Sequence, residues 1–246
     1  DLYTDPPYQR ELDTRRARSM AAQWDPRLVG VLDVADRGPD AGPRYAIING
    51  QHRWAAAGFV DPYMNLAVNV HTGLTVEDEA KLFYDIDRNT KQLTTWDRWQ
   101  ARRTSGDPIV TGIDRIAAEC GLHITQVPGP RNVQCCAALE RIWDRAAPEV
   151  LADTLVLVLD VWPGDNDGKK AAVIEGTSHV LDTYSQVIDN GRLGDAMSDL
   201  TPRQLLARAR DLQERGQKGT LPKLIGRVLV TAYNRRPGPK LDLDQL

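Results

Sequence analysis

The residues best suited to chemistry lie in one short stretch, Asn49-Gly50-Gln51-His52-Arg53, preceded by the apolar run Tyr45 to Ile48 and followed by Ala55, Ala56 and Ala57. The run reads as a strand, the glycine as a tight turn, and the alanines as a helix beginning within two or three residues. A helix start leaves backbone N–H groups without intrahelical partners, and the macrodipole makes that end favourable for an anion. Gly50 lets a phosphate approach the backbone closely. Gln51 offers an amide, His52 an imidazole, and Arg53 a guanidinium fork that matches phosphate oxygens. Residue types and spacing therefore describe an anion site, although one arginine at a strand-turn-helix junction also fits a purely structural role.

The elements that must hold this stretch follow from periodicity. Asp13 is placed to cap a helix carrying Ala17, Met20, Ala21 and Trp24 on one stripe. Residues 28–34 read as a buried strand, 45–48 as a second and 66–70 as a third, with the Gly/Pro-rich turn 37–43 between the first two. The helix after Gly50 is expected to stop at Gly58. Thr75 and Asp78 form a capping pair for a helix with Val76, Ala80, Phe83 and Ile86 on one face. From Thr94 onward the reading is helical throughout. Thr94 with Asp97 opens one helix, Ile113 to Cys120 marks another closed by Gly121, and Val133 to Trp143 a third. Residues 150–161 suit a buried helix better than a strand, Thr201-Pro202-Arg203-Gln204 starts a helix with a capping box, and Leu224 to Tyr233 closes the series.

The pentad resembles the signature of the ParB/sulfiredoxin superfamily, in particular the phage and plasmid branch with an Asp-Gly-Gln-His-Arg motif. Two flanking pieces resemble it too, Pro7-Tyr8-Gln9-Arg10 and the segment Phe83 to Asn89 followed by Lys91 to Thr95. The resemblance covers about residues 5–100. It implies an α+β protein whose small ParB-like nucleotide-binding domain spans residues 1–95, and the helical reading from Thr94 onward makes residues 96–246 an all-helical domain. It implies a nucleoside triphosphate, CTP or ATP, as the ligand, with Mg2+ admitted beside it. Gln9, Arg10, Asn49, Gly50, Gln51, His52, Arg53, Arg88, Asn89 and Lys91 would bind the nucleotide, and Asp87 or a neutral His52 would orient a water or hydroxyl. Departures from the family pattern bear on turnover. Gln51 stands where sulfiredoxins carry cysteine, which excludes sulfiredoxin repair. Asn49 replaces the usual Asp and Asp87 the usual Asn, so binding is expected ahead of hydrolysis. The resemblance further implies action on DNA and admits a homodimer. Competing classes are a metal-dependent DNA nuclease, a small-molecule phosphotransferase, and a nucleotide-free adaptor with a vestigial pocket.

Composition narrows the setting without naming a partner. No apolar run reaches the length of a membrane span and no signal-peptide pattern opens the chain, so a cytoplasmic protein is expected. The opening Asp1 in place of Met implies a natural N-terminus further upstream. Cys120, Cys135 and Cys136 have no zinc-ligand spacing and read as reduced core thiols. Asp85 and Asp87 diverge on a helix and do not make a metal site together. Asp165-Asn166-Asp167-Gly168 lacks the remaining calcium-loop ligands and reads as a turn. The connector 122–130 is too long for a helix-turn-helix. Arg98, Arg102 and Arg103 read as a solvated helix face. Residues 144–199 carry eleven acids and four bases, and residues 203–240 ten bases and two acids. That basic stretch could meet nucleic acid or pair with the acidic one before it.

Overall fold

The computed structural model describes residues 2–90 and 92–246, and it divides into two compact units, 1–92 and 93–246. The break falls three residues before the boundary expected at 95, because Thr94 caps the next helix with Asp97 and that helix belongs whole to the second unit. The fold class is α+β.

The first unit is built on four strands, β1 (Leu2–Thr4), β2 (Leu32–Asp36), β3 (Tyr45–Asn49) and β4 (Val68–Thr72), in the order β1-β3-β2-β4. β3 runs antiparallel to β2, whereas β1 and β4 run parallel to their neighbours. Leu32, Val34 and Ile47 make one apolar face, packed with Trp54, and Ala35, Ala46 and Ile48 make the other, packed with Leu82 and Phe83. Helices therefore cover both faces: α1 (Thr14–Ala22) packs with α2 (Gln51–Val60), and α3 (Val76–Asn89) lies against β3.

Several sequence expectations shift here. The strand expected at 28–34 starts only at Leu32, since Leu28 ends a 3-10 turn with 76% of its surface exposed and Gly30 takes a left-handed φ of 63°. α2 runs through Gly58 to Val60 and stops at Asp61 before Pro62; a glycine in right-handed conformation does not end a helix. The inward stripe of α3 is Glu79, Leu82, Phe83 and Ile86, with Val76 exposed. The strand β1 carried no signal of its own and exists through pairing with β3.

The second unit consists of α4 (Thr95–Thr104), α5 (Pro108–Glu119), α6 (Cys136–Arg145), α7 (Pro148–Val161), α8 (Ala171–Thr183), α9 (Asn190–Ser198), α10 (Pro202–Glu214) and α11 (Leu221–Arg235). It is not wholly helical. His123–Ile124 and Asn132–Val133 pair as two short parallel strands inside the long connector, which takes Val133 out of the helix expected there. α8 and α11 cross closely, for a Cβ on Gly176 would lie 2.4 Å from Ile225 Cγ2. Arg102 and Arg103 are not a solvated face: Arg102 holds Asp107 and Glu140, and Arg103 grips Asp114 through two bonds of 2.6 Å. No helix among the described residues is long and apolar enough to cross a membrane.

Candidate functional site

The site begins at the end of β3. Gly50 caps α2 in a left-handed conformation, φ 103°, and no side chain bonds the first-turn N–H groups. A side chain on residue 50 would be doubly obstructed, since its Cβ would fall 2.4 Å from Leu32 Cδ2 and 3.0 Å from Arg53 Nη2. That glycine lets the chain turn within one residue, and the helix start is left open.

The segment before α1 forms the opposite wall, and buried polar contacts hold it there. Tyr8 donates to Glu79 at 2.8 Å, and Arg37 bridges Glu79 and Asp5 at 2.7 and 2.6 Å. Burial, then the Glu79 carboxylate, pushes the Tyr8 phenol above its ordinary range, so it stays a donor. Gln9 then donates through Nε2 to the carbonyls of Ile47 and Ile48 at 2.8 and 2.7 Å. Gln51, only 4% exposed, donates to the Arg10 carbonyl at 2.9 Å, and its buried Oε1 has no partner.

Between these walls lies a cavity of about 500 Å³, within the range of small-molecule sites. Gln9, Arg10, Asn49, Gly50, Gln51, His52, Arg53 and Asp87 all line it, as do Arg16, Met20, Phe83 and Gln92. The sequence reading missed this second group. Arg16 and Met20 lie on adjacent turns of α1, a spacing that puts them on one face, but nothing in the chain says that this face meets Gly50. Phe83 reads from the sequence as an apolar helix position at the head of the family-like segment, with no sign that it borders Gly50. Arg88 and Asn89 sit on the last turn of α3, exposed and outside the lining. Lys91 falls outside the described residues.

Three of these side chains also have partners distant in the chain. Arg53 Nη1 donates to the carbonyls of Val29 and Val31 at 2.5 and 3.2 Å, so the guanidinium fastens the 29–31 loop while its other edge faces the cavity. Gln51 contributes its backbone, because its side chain is committed to Arg10. His52 Nε2 accepts from the Asp13 N–H at 3.2 Å, which leaves the ring proton on Nδ1. Burial, then the charges of Arg16 and Arg10, holds this imidazole below its ordinary pKa. A neutral ring with Nε2 engaged is a hydrogen-bond donor at Nδ1 and has no free nitrogen to act as a base. Asp87, 71% exposed, meets Arg10 at 3.2 Å, while Arg10 also lies 5.8 Å over the Phe83 ring.

The lining thus sets Arg10, Arg16 and Arg53 and an open helix N-terminus against the one carboxylate of Asp87. Such an arrangement is electrostatically favourable to an anion. Among the described residues no three His, Cys, Asp or Glu side chains gather as a metal site. No curated protein and no solved structure matches the chain. A family model does match over residues 3–238, and the chain belongs to that family, DUF6551, a family of unknown function.

Proposed function

We propose that the first unit binds a nucleoside triphosphate in the manner of the ParB/sulfiredoxin superfamily and that the protein acts on DNA. The observation that supports the reading most is the uncapped start of α2 at Gly50, opening onto a cavity walled by three arginines. Phosphates would take the first-turn N–H groups of α2 and the guanidiniums of Arg10, Arg16 and Arg53. The reading is of binding ahead of hydrolysis, since Asp87 is exposed and paired with Arg10 and His52 lacks a free basic nitrogen.

A thermal-shift series with CTP, ATP, GTP and UTP tests it. One triphosphate is expected to stabilise the wild type. Arg16→Ala is the sharper variant, because the Arg16 side chain makes no ion pair among the described residues and its loss leaves the fold alone. Loss of one charge-assisted contact, about 1.5–3 kcal/mol, weakens binding roughly 10- to 100-fold. A wild type unmoved by all four nucleotides returns the pocket to the vestigial class.

For the DNA part of the reading, support comes from the second unit. The acidic and basic segments pair only in part, through Arg203 with Asp167 and Arg236 with Asp199. Arg208, Arg215 and Arg235 make no ion pair among the described residues and line one groove of about 290 Å³ between α10 and α11. Arg208 and Arg215 stand two turns apart, about 10 Å along the axis, too far to share one phosphate and suited to a row of them. Binding of a duplex to the whole chain should weaken with salt, and Arg215→Ala should flatten that dependence by about one counterion. Cleavage of plasmid DNA by the wild type would instead favour the nuclease class.

A further inference from the structure

Strands β2, β3 and β4 bring four polar side chains to one point that the candidate cavity only touches. Asp33 has Asn49 of β3 and Asn69 of β4 as its register partners, and a register shift between Asp33 and Val34 brings Asn49 opposite it. Asp33 Oδ1 lies 3.2 Å from His71 Nε2 and 3.3 Å from Asn69 Nδ2, and Oδ2 lies 3.4 Å from Asn49 Nδ2. The Asp33 side chain is 17% exposed and that of His71 34%.

The cluster stands apart from the other recessed carboxylates of the same unit. Asp5 and Glu79 share the Arg37 guanidinium at 2.6 and 2.7 Å, and Asp36 holds Arg44 at 2.6 Å. No arginine or lysine among the described residues pairs with Asp33. Its partners are two neutral amides and an imidazole, at distances long for bonds to a charged carboxylate, which run about 2.7–2.9 Å. A recessed carboxylate held at long range by two amides and one imidazole, with no arginine or lysine beside it, has room for a cation.

We propose that this point binds a divalent transition-metal ion of the Mn2+ or Zn2+ kind. Asp33 supplies a carboxylate oxygen and His71 a ring nitrogen; Asn49 and Asn69 supply amide oxygens, and water completes the shell. The spacing fits. Two ligand atoms about 2.0–2.2 Å from one metal, at 90–110° to each other, stand about 2.8–3.6 Å apart. The separations from Asp33 Oδ1 to His71 Nε2 and Asn69 Nδ2, 3.2 and 3.3 Å, fall in that interval, and Asn49 Nδ2 stands 3.4 Å from the other carboxylate oxygen. A half-turn of either Asn amide exchanges its nitrogen for its oxygen within the same volume. One imidazole with oxygen donors favours a borderline ion over Mg2+ or Ca2+. Asn49 also lines the cavity at Gly50, so the ion would sit beside the wall where phosphates are proposed to bind. The inference itself rests on the cluster and not on the triphosphate reading.

The experiment is titration of the whole chain with MnCl2, ZnCl2 and MgCl2 in the absence of nucleotide, followed by calorimetry and, for Mn2+, by electron spin echo. The expected result is one Mn2+ or Zn2+ per chain with a rise in Tm, little response to Mg2+, and a nitrogen modulation from imidazole in the Mn2+ spectrum. Asp33→Asn, which keeps the shape of the cluster and needs only the Asn49 amide to turn over to restore its hydrogen bonds, should weaken the metal at least tenfold. His71→Ala should abolish the nitrogen modulation, and His123→Ala, an exposed histidine of the second unit, should leave both unchanged. Absence of a stoichiometric site in the wild type, or wild-type affinity in a folded Asp33→Asn protein, overturns the proposal. Arg16→Ala separates the two readings, since it weakens the nucleotide and not the metal.

Discussion

The helices α2 and α3 begin in opposite ways, and the contrast carries most of what the molecule says about function. α3 closes its own start. Thr75 accepts from Asp78 N–H, Asp78 returns the bond to Thr75 N–H, and Glu77, Asp78 and Glu79 set negative charge on the positive end of the dipole. α1 is closed likewise by Asp13, whose carboxylate accepts from Arg16 N–H at 2.9 Å. α2 has neither device: Gly50 has no side chain to cap with, and the first turn is acid-free. Around that start stand three arginines where α3 presents three acids. A helix that satisfies its own terminus speaks for stability. One that leaves it open before a cationic cavity speaks for a ligand.

Substitutions can break or sharpen that contrast. Gly50→Ala should have the largest effect. It forces a left-handed φ on a residue with a Cβ and drives that atom into Leu32, at an expected cost of about 2–3 kcal/mol by urea denaturation together with loss of nucleotide response. His52→Glu should separate the two meanings of a helix start. An acid in the first turn of α2 stabilises the free helix by about 0.3–1 kcal/mol, yet it places a carboxylate where phosphate is proposed to bind, so Tm rises or holds while triphosphate titration goes flat. Binding that survives His52→Glu would break the comparison. Thr75→Ala should cost about 1 kcal/mol through the lost capping box and leave nucleotide affinity untouched.

The smallest expected effect is in pH. The folded-state pKa of His52 lies below its ordinary 6.5, because burial and the neighbouring arginines disfavour the charged ring. Protonation therefore favours the unfolded chain. The stability it contributes is present above the ordinary histidine range and is lost as pH falls through the lowered value. In His52→Gln, whose amide oxygen can still accept from Asp13 N–H, the part of the Tm decline between pH 7 and 5 due to this ring should disappear. An unchanged decline would show that the ring is not the group responsible.

Much of this arrangement was legible where a few neighbouring residues decide the outcome. The Thr75/Asp78, Thr94/Asp97 and Thr201/Gln204 capping boxes all form, because each is closed by side chains three positions apart. The β3–Gly50–α2 junction forms for the same reason: β-forming residues, then the residue type that tolerates a positive φ, then helix formers. Side-chain partners, by contrast, were decided by distant neighbours. Arg53 is occupied by the carbonyls of Val29 and Val31, more than twenty positions away, and His52 by an N–H thirty-nine positions earlier. β4 was expected from its alternating valines, yet Val68 and Val70 stay largely exposed on a sheet edge, since pairing with β2 rather than burial makes that strand. His71 carried no signal at all until the sheet set it beside Asp33.

By itself, then, the sequence determined where backbone polar groups are satisfied locally and where they are left open, for capping, glycine conformation and helix period act within one or two turns. Tertiary structure alone decided which side chains face the open helix start, bringing Arg16 and Phe83 to Gly50 and Asp33 to His71. Those meetings depend on strand order and on which helix covers which face of the sheet, and both arise from burial of apolar surface summed over the whole unit rather than from any neighbourhood in the chain.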